Sequence, residues 1–196
     1  MKFVFPINKV IRFLTLSDIL MLSGWGLVNP VLAIFFADQI QGGDVKIAGL
    51  AVAIALLTKS LSQLPIAWLI DKKKGEIDDF WVMISGSLII ACSAFLFIFA
   101  RTIPQVFLIQ VVSGFGMALS YPAWLAIFTR HLDNHQEGFQ WSFYSSATNL
   151  GGAVVAGLGG VMANYLGFRP LFFLVGLLSL LGTVFLFVCY RDMRKK

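Results

Sequence analysis

Six long apolar stretches alternate with short polar breaks along this chain, at 11–36, 47–70, 80–100, 104–129, 138–165 and 170–190. Each is long enough to cross a hydrocarbon layer as a helix, which takes about 20 mostly apolar residues. The breaks read ADQIQGGDVK at 37–46, DKKKGEIDD at 71–79, Arg101, RHLDNHQE at 130–137 and Gly167-Phe168-Arg169, and the tail is RDMRKK. Pro104 and Pro170 stand where a helix begins, the position that tolerates a missing N–H. No stretch alternates apolar and polar with period two, so a transmembrane barrel is excluded. The expected fold is an all-α membrane protein of six transmembrane helices.

The chain also repeats itself. SGWGLVNPVLAIFF at 23–36 returns as SGFGMALSYPAWLAIF at 113–128, an offset of 90 residues from start to start. Gly86, Phe95, Leu96, Phe97 and Arg101 recur at the same offset as Gly176, Phe185, Leu186, Phe187 and Arg191. This is a tandem duplication inside a single domain, 1–196, with repeat A at about 11–101 and repeat B at about 104–191. Three spans is an odd number, so the second copy enters the membrane from the opposite side. Two inverted three-helix repeats are an architecture many secondary transporters use, with the substrate near mid-bilayer.

Composition agrees: 58% of residues are hydrophobic and 13% charged, and mean hydropathy is +0.84, beyond the needs of a soluble core. A net charge of +5 does not indicate nucleic acid, because the basic residues lie between spans rather than on one soluble patch. Lys2, Lys9, Arg12, Lys72, Lys73, Lys74, Arg130, Arg191, Arg194, Lys195 and Lys196 fall on the side of the termini. Lys46, Arg101 and Arg169 fall opposite. The bias predicts a plasma or inner membrane protein with both termini cytoplasmic. The first apolar stretch is too long for a signal peptide and is followed by no A-x-A site, so it reads as a retained span. Cys92 and Cys189 lie within apolar runs and suggest no disulfide.

At 65–76 the sequence PIAWLIDKKKGE resembles the signature of the major facilitator superfamily between its second and third helices, roughly G-x-L-x-D-[RK]-x-G-[RK]. Leu69, Asp71, Lys72 and Gly75 match; Ala67 replaces the first glycine, one Lys is extra, and Glu76 replaces a basic residue. Span four is similar to the family's R-x-x-x-G-x-G element, with Gly114 and Gly116 present and Gln110 in place of Arg. Span five is similar to its glycine-rich stretch through Gly151, Gly159 and Gly160, followed by GFRPLF at 167–172 for G-[WF]-R-x-x-F. Ala156 stands where drug antiporters have proline. The resemblance covers essentially the whole chain but only one six-helix half of the usual twelve. It implies a half-size member resembling the N-terminal half of the family, pairing with a second half around a central cavity, and Asp71, Lys72 and Gly75 as parts of a gating loop.

Candidate residues come from polar and aromatic side chains at membrane depth. Asp18, Trp25, Asn29 and Phe36 form one stripe on span one. A carboxylate at the middle of a span costs about 2.5–3.5 kcal/mol on insertion scales and is by default functional; an Asp18 solvated at the interface is the plainer alternative. Lys59 lies twelve residues from both Ile47 and Asp71, too deep to reach water easily. It faces a cavity or pairs with Asp18. Gln63, Gln110, Met117, Tyr121 and Trp124, and Tyr144, Thr148 and Asn149 on span five, complete the expected cavity, with aromatic packing between helices as the alternative. Gly114, Gly116, Gly152 and Gly160 are expected to let helices approach closely. Spans three and six, almost without polar side chains, are expected on the lipid side.

His131 and His135 are spaced i, i+4, but no H-E-x-x-H accompanies them and no metal or other cofactor is expected. No nucleophile with a base lies at membrane depth, so an enzyme is not expected. The expected function is alternating-access transport of a small solute, as a homodimer in the bilayer. A non-transporting interaction subunit and half of a heterodimeric transporter remain alternatives, and the solute is not readable from these side chains.

Overall fold

Helices begin and end within about a turn of the polar breaks. In the computed structural model, which describes residues 7–72 and 75–193 without the side chains of Cys189 and residues 191–193, α1 spans Lys9–Val28 and a 3-10 turn Asn29–Val31 leads into α2, Leu32–Asp38. Then follow α3 (Val45–Lys72), α4 (Glu76–Phe97), α5 (Ile103–Arg130), α6 (Glu137–Leu166) and α7 (Phe168–Met193). The continuous stretch Lys9–Asp38 and the five later helices are each long and apolar enough to cross a membrane. Lys2, Lys73, Lys74 and residues 194–196, part of the basis for the orientation, lie outside the described residues.

Local chemistry sets the ends. The Asn8 side chain accepts from the Val10 N–H at 3.0 Å, a helix N-cap. Thr102 and Gln105 form a capping box for α5, with Pro104 in its first turn. Gly167, at φ +79°, makes the turn from α6 into α7 in a conformation that only glycine adopts freely. Pro30, which has no N–H to donate, sits in the 3-10 turn that interrupts the first span.

The packing respects the duplication. α1 lies chiefly on α7 and α6, whereas α5 lies chiefly on α4 and α3; α4 crosses α7, and α1 hardly touches α5. Exchanging α1, α3 and α4 with α5, α6 and α7 leaves this pattern unchanged. Close contacts refine the register. A Cβ on Gly24 would lie 3.2 Å from the Val175 carbonyl and 3.3 Å from Leu178 Cβ, and one on Gly116 would lie 3.0 Å from both the Gly86 carbonyl and Ile90. Gly24 to Gly116 and Gly86 to Leu178 are both steps of 92 residues, as are Pro30 to Pro122 and the buried pairs Phe36 to Phe128 and Phe80 to Phe172. Gly86 and Gly176, both against neighbouring helices, keep the step of 90 read from the sequence.

Two apolar clusters fill the bundle. One, with Ile11, Leu14, Phe80, Met83, Ile127 and Phe128, lies toward the end bearing the termini. The other, with Phe35, Phe36, Phe97, Leu171 and Phe172, lies at the opposite end. The expectation that spans three and six face lipid is corrected: α4 and α7 are among the best covered helices, and α3 and α6 are the least covered. Leu and Phe do not distinguish lipid from a neighbouring helix. The small residues do: buried Ser87, Ser93, Ser179 and Thr183, with Gly86, Gly176 and Gly182 against neighbouring helices, mark α4 and α7 as packed.

Candidate functional site

Because α1 and α5 hardly touch, a cleft runs between them. It is floored by Met83, Ser87 and Ile90 of α4 and Leu186 of α7, and flanked by Lys59 of α3 and Tyr144 of α6. The cavity has a volume of about 370 Å³, within the roughly 300–1,000 Å³ usual for small-molecule sites. Its walls bear Asp18, Met21, Leu22, Trp25 and Asn29 from α1 and its 3-10 turn, and Met117, Ser120, Tyr121 and Trp124 from α5.

The two charged side chains do not pair with each other. The Tyr144 hydroxyl donates to Asp18 Oδ2 at 2.8 Å, while Lys59 Nζ sits 4.7 Å from the centre of the Tyr121 ring, a cation–π distance. Of the two alternatives for Lys59, this arrangement has it at the cavity rather than paired with Asp18: each has its own tyrosine, on opposite flanks of the cleft. Ser87 and Ser120 hydroxyls meet at 3.1 Å across the floor. The indole N–H groups of Trp25 and Trp124 are buried and have no acceptor among the described residues. Trp124 stacks on Phe128 at 4.8 Å and meets Tyr144 at 5.0 Å, joining α5 to α6.

Of the residues singled out from sequence, Asp18, Trp25, Asn29, Lys59, Met117, Tyr121, Trp124 and Tyr144 line this cavity. Several do not. Thr148 is buried and donates to the Tyr144 carbonyl of its own helix at 2.8 Å; Asn149 donates to Ser145 Oγ at 3.3 Å. Gln110 is buried away from the cavity, and Gln63 lines a separate hollow with Asp71, Tyr121 and Arg130. Phe36 leaves the stripe because the 3-10 turn at Pro30 shifts the helical phase, and its ring is fully buried. Met21, Leu22, Met83, Ser87, Ile90, Ser120 and Leu186 were missed. Only the two serines, polar residues in apolar spans, gave any sequence signal.

Helix packing is also corrected in part. Gly114 lies against the Ala55 carbonyl and Gly116 against α4; a Cβ on Gly152 or Gly160 would meet nothing within 4 Å, although the Gly152 backbone itself lies 3.7 Å from where a Cβ on Gly26 of α1 would stand. On α6 the close approaches are Gly151 to Ser23 Oγ and Gly159 to the Leu27 carbonyl, one residue, or about 100°, round the helix.

At the end bearing the termini, Asp79 of α4 is buried and ion-paired with Arg130 of α5. His131 Nδ1 lies 3.1 Å from Glu76 and 3.0 Å from the Ile127 carbonyl, and Asn8 donates to the His131 carbonyl at 3.3 Å. Of the expected gating loop, Asp71 is exposed in the last turn of α3, Lys72 Nζ lies 3.3 Å from the Trp68 ring centre, and Gly75 precedes α4 in extended backbone. Among the described residues no cluster of His, Cys, Asp or Glu is placed to hold a metal ion.

The profile of the Major Facilitator Superfamily matches residues 14–196. The chain belongs to that family. Its six apolar spans make it a multi-pass membrane protein with the architecture of one family half. It is 26% identical over 189 residues to the Quinolone resistance protein NorA of Staphylococcus aureus, covering 96% of this chain and 47% of that protein. It is also 26% identical over 112 residues to a probable hexose phosphate transport protein of Chlamydia muridarum, 57% of this chain and 25% of the other. The chain spans about half the length of the NorA relatives it matches.

Proposed function

We propose that this chain is one half of a secondary transporter, moving a small aromatic solute by alternating access when paired with a second copy of itself. The observation that carries this reading is the cleft between α1 and α5. It brings a carboxylate, an ammonium and aromatic walls to one place at membrane depth, and such charged groups inside a span are kept for function.

The cleft opens on a face flanked by α3 and α6, the helices this chain covers least. A second six-helix unit on that face would give the solute a site walled on both sides. Each unit would rock about the other while its six helices move together. With the basic loops cytoplasmic, Asp18 and Tyr144 lie toward the cytoplasmic side of the cavity. The name of the NorA relatives suggests the first solute to try, a quinolone: a flat aromatic molecule with a carboxylate and an amine, which suits a site with one charge of each sign.

Reconstitution of the purified chain into liposomes tests the proposal. Saturable quinolone flux is expected from particles containing two copies. Particles that bind no solute and give the leak of empty liposomes would leave only a membrane interaction subunit.

A further inference from the structure

The far end of the bundle, opposite both termini, has three basic residues in its loops and helix ends: Lys46, Arg101 and Arg169. Topology disfavours basic residues at the end that crosses the membrane, yet two of these three line one pocket. Arg101 and Arg169 share a cavity of about 490 Å³ with Phe35, Phe97, Phe168 and Phe172. No acidic side chain lines it, and among the described residues neither guanidinium has a carboxylate within ion-pair distance. Among the described residues the Arg101 guanidinium bonds only to the adjacent Ala100 carbonyl, at 3.4 Å, and the Arg169 guanidinium has no hydrogen-bond partner.

The pocket is built from fixed parts. The Gln41 N–H donates to the Arg101 carbonyl at 2.9 Å, joining the loop before α3 to the loop before α5. The Arg101 N–H in turn donates to Gln105 Oε1 at 2.8 Å. Arg169 stands in the first turn of α7, where the backbone adds partial positive charge. Phe35 packs on Phe168 and Phe172 at ring separations of 5.3 and 4.8 Å, and Phe97 stacks on Phe172 at 5.1 Å. Arg101 and Arg169 stand at the ends of their spans, beside this aromatic wall.

We infer that this pocket binds a phosphate group borne on an apolar body. Guanidinium forks match phosphate oxygens in pairs, and the phenylalanines take the attached apolar part. The phosphate comes either from an anionic phospholipid headgroup or from a soluble phosphate. The site is separate from the cleft between α1 and α5, so it stands whether or not the chain transports a quinolone.

Native mass spectrometry of the full chain, released from nanodiscs of phosphatidylcholine with phosphatidylglycerol, tests this. The parent should retain phosphatidylglycerol, and Arg101→Gln/Arg169→Gln should lose retention by about five-fold or more. Lys46→Gln, at the same end but outside the pocket, should bind as the parent does. Arg169→Gln alone, which removes a side chain without a protein partner, keeps the test readable if the double variant fails to fold, and should lose about two-fold. Inorganic phosphate added in parallel separates the sources: retention despite it supports the lipid headgroup, and displacement by it supports the soluble anion. Retention by the arginine variants equal to the parent, or an equal loss in Lys46→Gln, would overturn the inference.

Discussion

Tyr144 of α6 donates its hydroxyl proton to Asp18 of α1 at 2.8 Å, across 126 positions of sequence and on the wall of the cleft. Among the described residues Asp18 is the one acidic residue lining the cavity, and this bond fixes its carboxylate, while Lys59 is held over Tyr121 on the other flank. A solute that takes either charge must compete with a tyrosine.

Removing that hydroxyl is the first prediction. Tyr144→Phe should lower stability by about 1 kcal/mol, the net worth of one hydrogen bond, and should alter solute affinity more than stability. Thermal unfolding and equilibrium binding on the same preparation separate the two effects. A variant that is destabilised with unchanged binding would make Tyr144 a packing residue.

Asp18→Asn is the second. If Asp18 couples protons to solute, the amide should keep solute exchange but lose accumulation driven by a pH gradient, measured in liposomes. Accumulation equal to the parent would make Asp18 an interfacial residue without a coupling role.

The Asp79–Arg130 pair makes a third, asymmetric prediction. The Asp79 side chain is 1% exposed and that of Arg130 43%. Losing the arginine leaves a buried carboxylate without its charge partner, whereas losing the carboxylate leaves an arginine that water still solvates. Arg130→Met should therefore cost about 2 kcal/mol, less than for a fully buried pair, and Asp79→Asn clearly less. Chemical denaturation in detergent reads both. Equal losses would mean that the pair acts as a surface bridge.

The glycines supply a fourth. Gly159→Ala would drive a methyl into the Leu27 carbonyl and should destabilise the bundle. Gly160→Ala meets open space and should be neutral or gain up to about 1 kcal/mol from helix propensity. The reverse ranking in thermal unfolding would refute the placement of α6 against α1.

Much of this arrangement was legible in the chain. Span length and the break positions gave the six helices because lipid requires every backbone group to be bonded within its own segment. Asp18, Trp25, Lys59, Tyr121, Trp124 and Tyr144 stood out because polar and aromatic groups at depth need a reason. What helical spacing does not give is the neighbour a face meets. Thr148 lies one turn beyond Tyr144, yet its hydroxyl folds back onto its own helix. Met83, Ile90 and Leu186 looked like lipid-facing residues because a cleft floor and a lipid contact ask for the same side chains. Gly159 and Gly160 differ by one position and face opposite surroundings, which only the packing decides.

Equilibrium binding of a quinolone to the purified chain, followed by quenching of Trp25 and Trp124, tests most directly whether the cleft between α1 and α5 is the solute site. Saturable binding is predicted, weakened about ten-fold or more, roughly 1.4 kcal/mol, in both Asp18→Asn and Lys59→Met, and unchanged in Gly160→Ala. Undiminished affinity in both charge variants would contradict it.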